Sequence, residues 1–108
     1  MKLVIIESPF AGDVEANIEY ARKCICDCLK RGEAPIASHL LFTQDGILND
    51  LVPEERELGI EAGLAWYKVA DLSVVYTDMG MSKGMEGGIK RAEEMNVTVE
   101  YRTLNDVR

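Results

Sequence analysis

Basic clusters, long apolar runs and metal-binding spacings are all missing from this 108-residue chain, which also carries only one histidine, one tryptophan and two phenylalanines. No basic run exceeds two residues, and 19 acidic side chains against 12 basic ones give a net charge of −7. That balance excludes groove binding to a nucleic-acid polymer, which draws its affinity from clustered Lys and Arg on phosphates. The apolar run in "MKLVIIESP" reaches Glu7 almost at once, too short for a signal core or a membrane span. A soluble, cytoplasmic protein with no membrane partner is therefore expected. Cys24, Cys26 and Cys28 lie within five residues of one helical pattern, which suggests neither a disulfide framework nor a CxxC pair. They are expected to be small, partly buried core thiols, with Cys24 and Cys28 on one helix face and Cys26 pointing elsewhere. No cluster has metal-ligand spacing, so no metal and no cofactor are implied.

The residues that are present suffice for one core: 47% are hydrophobic, and a single domain over 1–108 is expected. Four apolar runs have strand length: Leu3 to Ser8, Ala34 to His39, Leu72 to Thr77 and Val97 to Arg102. The first and third are almost continuously apolar, as when helices cover both faces of a parallel sheet. The last alternates, Val97, Val99 and Tyr101 against Thr98, Glu100 and Arg102, which suits an edge strand.

Helical patterns separate the strands. Asp13 is a plausible N-cap for a helix carrying Val14, Ile18, Ala21 and Ile25 inward, with Lys30, Arg31 and Gly32 at its end. Pro53 opens a second helix with Leu58, Ala62, Ala65 or Trp66, and Val69 on one stripe. A third runs from about Gly84 to Met95, with Met85, Ile89 and Ala92 inward. Alternation of this kind predicts an α/β fold, a small doubly wound and mostly parallel sheet in the flavodoxin-like order second-first-third-fourth. Ligands of such sheets bind beyond the carboxyl ends of the strands, where the strand order reverses.

Two loops meet at that point. In "ESPFAGD", Ser8, Pro9, Phe10 and Gly12 lead into a helix N-terminus, where free amides favour an anionic or hydroxyl-rich ligand. Glu7 and Asp13 would oppose a phosphate and favour ribose hydroxyls; an ordinary strand-turn-helix connection is the plain alternative. In "TDMGMSKGMEGG", Asp78 ends a strand, Ser82 can cap a helix, and Lys83, Gly84 and Met85 form its first turn. Gly87 and Gly88 each cost roughly 1 kcal/mol inside a helix relative to Ala, which points to close approach by a ligand or to tight packing on the sheet. The long segment from Ser38 to Gly59 begins with His39 and brings Phe42 and Gln44, which could stack on a base and hydrogen-bond it.

Taken together, "IIESPFAGD", "SHLLFTQ", "PEERELGIEAGLAWYKVAD" and "YTDMGMSKGM" resemble the nucleoside 2-deoxyribosyltransferase-like family, including the deoxynucleoside monophosphate N-hydrolases, and especially a phage and bacterial branch of unassigned function. The resemblance implies a base-ribose site for a small-molecule nucleoside or nucleotide, an N-glycosidase or deoxyribosyltransferase reaction through a nucleophilic glutamate, and a homo-oligomer, dimer or higher. Ser82 and Gly84 match the family's SxG, which holds a 5′-hydroxyl or phosphate, and Asp78 matches its acidic strand end. The family's nucleophile follows that serine by six positions, where this chain has Gly88. Glu86 stands two residues earlier, about 200° round an ideal helix. Two readings follow: an enzyme with Glu86 or Glu61 as nucleophile and Asp78 or His39 handling the proton, or a binding or sequestering protein that has lost the nucleophile. Leu64, Trp66 and Tyr67 are the candidate subunit interface.

Overall fold

Alternation along the two central strands decides which side chains meet which helix layer. The computed structural model describes residues 1–104. Its elements are β1 (Leu3–Glu7), α1 (Val14–Lys30), β2 (Ala34–Ile36), α2 (Ser38–Leu41), α3 (Pro53–Ala65), a 3-10 turn (Trp66–Lys68), β3 (Leu72–Tyr76), α4 (Lys83–Glu94) and β4 (Thr98–Arg102). The strands form one all-parallel sheet in the order β2-β1-β3-β4, as the alternation of strands and helices predicts. The order reverses between β1 and β3, where Glu7 lies opposite Val75.

Successive side chains of a strand point to opposite faces. Val4 and Ile6 of β1 and Leu72, Val74 and Tyr76 of β3 share a core with Tyr20, Cys24 and Cys28 of α1. Ile5 goes to the other face, with Tyr67, Ala92 and Val97. Glu7 is in phase with Ile5, so it is delivered to the side of the 3-10 turn and α4. Cys24 and Cys28 are fully buried, and burial pushes their thiols up to about 12 and about 11, which makes them inert packing groups.

The helix ends follow their caps. Asp13 accepts from the Ala16 amide at 3.2 Å, and Gly32 leaves α1 with a φ of +79° that a side chain would resist. Ser82 Oγ accepts from the Met85 amide at 3.2 Å, so α4 is regular from Lys83 onward and runs straight through Gly87 and Gly88.

Val14, expected inward on α1, is exposed at its first turn, and three further expectations fail for physical reasons. The second strand stops at Ile36, and Ser38–Leu41 winds into a single helical turn that carries His39. The α3 stripe is a different one: Leu58, Trp66 and Val69 are 55%, 45% and 56% exposed, whereas Gly63 is buried and Tyr67 is 3% exposed. This helix packs through its glycines, since a Cβ on Gly63 would lie 2.5 Å from Ser38 Oγ. In β4 the alternation inverts at its end, with Tyr101 exposed and Arg102 drawn in by Glu33 at 2.6 Å. Among the described residues no helix is long and apolar enough to cross a membrane.

Candidate functional site

Beyond the carboxyl ends of β1 and β2, on the α3 and α4 side, lies a cleft of about 520 Å³. That is within the range of roughly 300–1,000 Å³ typical of small-molecule sites. Its walls are largely apolar: Phe10 from the loop after β1, Phe42 and Leu48 from the segment after α2, and Ile60 and Leu64 from α3. Its polar groups include Glu7 and Ser8 at the end of β1, Ser38 and His39 on α2, Thr43, Arg56 on α3, Tyr67 in the 3-10 turn, and the α4 N-terminus with Ser82, Lys83 and Gly84. The Lys83 and Gly84 amides have no intrahelical acceptor, because they belong to the first turn.

Glu7 has an unusual setting. Tyr67 donates a short hydrogen bond to its Oε2, and no cation among the described residues comes within ion-pair distance. Burial pushes its carboxyl up to about 7, against the Tyr67 hydrogen bond, which pulls the other way. Tyr67 itself is raised by burial and by the Glu7 charge, so it stays a hydroxyl and a donor. The carboxyl group sits where residue 88 would place a side chain: a Cβ on Gly88 would lie within 2.7 Å of Cδ, Oε1 and Oε2 of Glu7. Glycine at 88 is thus explained by close approach of a neighbouring side chain, and α4 lies against the sheet at that point.

Ser8 is 5% exposed and shares a 2.6 Å hydrogen bond with His39 Nε2, its direction set by the imidazole tautomer. Burial brings His39 down to about 4, so the ring is neutral at physiological pH. Asp50 and Glu55 also line the cleft, and each is engaged: Asp50 lies 4.0 Å from Arg56, and Glu55 accepts from the Asn49 amide at 3.0 Å.

Of the residues expected from the sequence, Ser8, Phe10, His39, Phe42, Ser82, Lys83, Gly84 and Met85 line this cleft. Gly12 and Gln44 line an adjoining depression instead, and Pro9 lines neither. The three other candidate carboxylates are elsewhere. Glu86 is exposed in the first turn of α4 and Glu61 is exposed on α3, both outside the lining, because each helix turns a neighbouring glycine face inward. Asp78 continues the phase of Tyr76 and points to the α1 side, where it accepts from Tyr20 Oη at 2.6 Å and from the Leu104 amide. Tyr67, for which the sequence left burial or a subunit contact open, is buried and lines the cleft. Sequence reasoning saw Glu7 only as a partner for hydroxyls; its phase with buried Ile5 was the signal that it points into the α4 layer. Among the described residues, no group of three or more His, Cys, Asp and Glu could hold a metal ion.

Known structures share this architecture. A 2-deoxyribosyltransferase from Bacillus psychrosaccharolyticus aligns with a TM-score of 0.73 at 14% identity, over 98% of this chain and 76% of that one. A 2-desoxiribosyltransferase from Leishmania mexicana gives 0.61 at 12%, over 100% and 67%. The CMP N-glycosidase BcmB of Clostridium botulinum gives 0.53 at 15%, over 94% and 69%. The fold is therefore the nucleoside 2-deoxyribosyltransferase-like α/β fold. No curated protein sequence matches the chain. By sequence the chain belongs to the family described as a domain of unknown function, DUF7768, whose model matches residues 2–102.

Proposed function

We propose that the cleft binds a nucleoside or nucleotide and that the protein cleaves or transfers its N-ribosidic bond. The observation that carries this reading is the composition of the cleft: apolar and aromatic walls stand beside a polar floor of Glu7, Ser8, His39 and Tyr67 at the switch point of the sheet. The base lies against Phe10, Phe42 and Leu64, and the sugar lies over the floor. The 5′ end reaches toward Ser82, Lys83 and Gly84, where unpaired amides favour a hydroxyl or phosphate. The deoxyribosyltransferases and the CMP N-glycosidase that share the fold support nucleosides or nucleotides as the substrate class. Residues 1–108 act as one domain of a soluble, cytoplasmic homo-oligomer, with the exposed Leu58, Trp66 and Val69 of the α3 region available to the subunit contact.

A second reading, a binding or sequestering protein for a nucleotide-derived ligand, is favoured by one observation: α4 carries no carboxylate into the cleft, since Gly88 has no side chain and Glu86 is exposed. Incubation with a panel of nucleosides, deoxynucleotides and ADP-ribose derivatives, reading released base and the ligand-induced melting shift, separates the two. Released base supports the enzyme, a melting shift without release supports the binder, and neither response to any ligand overturns both.

A further inference from the structure

We propose that Glu7, delivered from the end of β1 into the space left by Gly88, is the carboxylate that reacts with the sugar, so that the reacting group of this chain comes from the sheet and not from α4. The inference rests on the reading of the cleft as an N-riboside site and adds the residue and the element that perform the chemistry. Three observations converge on it. Glu7 lines the cleft and has no cation partner among the described residues, unlike Asp50, which lies near Arg56. Its position depends on glycine at 88, because any Cβ there would lie within 2.7 Å of all three carboxyl atoms. Tyr67 holds one oxygen, Oε2, and fixes the direction in which the other is presented. A partly buried carboxylate of raised basicity is also a better nucleophile in its ionised form than a solvated one.

The chemistry balances with water as the co-reactant. A carboxylate oxygen of Glu7 bonds to the anomeric carbon as the bond from that carbon to the base nitrogen breaks, and the electron pair leaves with the base, which takes a proton from water. Water then attacks the glycosyl ester, returning the sugar with a new hydroxyl, the free carboxylate and a proton.

The test is a covalent trap. A 2′-fluorinated deoxynucleoside, whose fluorine slows breakdown of the glycosyl ester, is mixed with the protein, quenched and read by intact mass and peptide mapping. A sugar-sized mass gain that maps to Glu7 is expected. Base release from an unmodified substrate should drop on the order of 10³-fold in Glu7→Gln, with the ligand melting shift retained and Glu86→Gln unchanged. In Gly88→Ala, which keeps the carboxylate but displaces it, both adduct and turnover should drop at least tenfold. That variant serves as the independent probe if Glu7→Gln does not fold. An adduct on Asp50, Glu55 or Glu61, or turnover within tenfold of wild type in Glu7→Gln, overturns the assignment. A wild-type melting shift with neither release nor adduct also overturns it and leaves the ligand-binding reading standing. No response of any kind overturns that underlying reading as well.

Discussion

Two buried polar regions on opposite sides of one sheet are built on opposite rules. Under α1, Arg102 donates to Glu33 through both terminal nitrogens, at 2.8 and 2.6 Å, and to Glu100 through Nε. Tyr76 Oη donates to Asp27 at 2.7 Å, and Tyr20 Oη to Asp78 at 2.6 Å. Hydrogen bonds to Arg102 hold Glu33 below the usual carboxylate range, and those to Glu33 raise Arg102 further, so each group keeps the charge it has in water. On the α4 side, among the described residues, Glu7 meets one hydroxyl and His39 meets one. Burial drives both of them toward neutrality, Glu7 up and His39 down. A fully partnered network is what a structural role needs. A carboxyl and an imidazole left with one neutral partner each, in a cleft, leave bonding capacity that a ligand can use.

The largest effect expected from breaking this contrast is on the paired side. Arg102 is 4% exposed, and its removal would leave Glu33 as a largely uncompensated charge beneath α1. Arg102→Ala should destabilise the fold by about 3–5 kcal/mol, read as a lowered urea midpoint. A change below 1 kcal/mol would mean that the network is solvated and that the contrast is false.

On the cleft side the same kind of deletion should stabilise. Between pH 4.5 and about 7 folded Glu7 retains a proton that the unfolded chain has lost, so its contribution weakens stability as pH rises through that window. Between pH 6.5 and about 4 unfolded His39 takes up a proton that the folded chain refuses, so its contribution weakens stability as pH falls. Each is worth on the order of 3 kcal/mol across its window. The windows overlap and the signs oppose, so in the wild type the two largely offset each other. Glu7→Gln should therefore be more stable than wild type above pH 7 and lose that advantage toward pH 4.5, where the His39 slope stands alone. Parallel stability profiles for the two proteins across that range would remove the buried-acid description of Glu7.

How far the site could be read from the sequence follows from the same geometry. Apolar runs and helical spacing were sufficient for the element order and the 2-1-3-4 sheet, because burial on both faces leaves near-continuous apolar runs in β1 and β3 that the helical segments between them interrupt. Residues of the two loops that meet at the switch point line one cleft. The carboxylates were harder. Asp78 and Glu86 sit in a glycine-rich stretch that looks like a site, yet strand phase sends Asp78 to Tyr20, and the Ser82 cap starts α4 early enough to leave Glu86 outside the cleft. Helix α3 misled because it is apolar on several sides, so size suggested Leu58 and Trp66 as its inner stripe. Contact distance instead selected Gly59 and Gly63, near Leu48 and Ser38. What could not be read was the meeting of Glu7 with Gly88 and Tyr67, which are 81 and 60 residues away in sequence and joined only by the packing of α4 and the 3-10 turn on β1.

The smallest expected effect is the sharpest probe of that meeting. Tyr67→Phe keeps the ring that packs with Ile5 and Ala92 and removes only the hydroxyl that donates to Glu7. The hydrogen bond favours the ionised carboxylate, so its loss leaves desolvation unopposed and Glu7 moves further up from about 7. If ionised Glu7 carries the reaction, base release should rise with pH through a limb near 7 in the wild type. In Tyr67→Phe that limb should lie higher by about one pH unit or less, a differential interaction of roughly 1 kcal/mol. The plateau rate at high pH should change less than the rate at pH 6, because the variant alters the fraction of reactive carboxylate more than its placement. An equal loss at every pH would instead make Tyr67 a packing residue and take away the link between the short hydrogen bond and the chemistry.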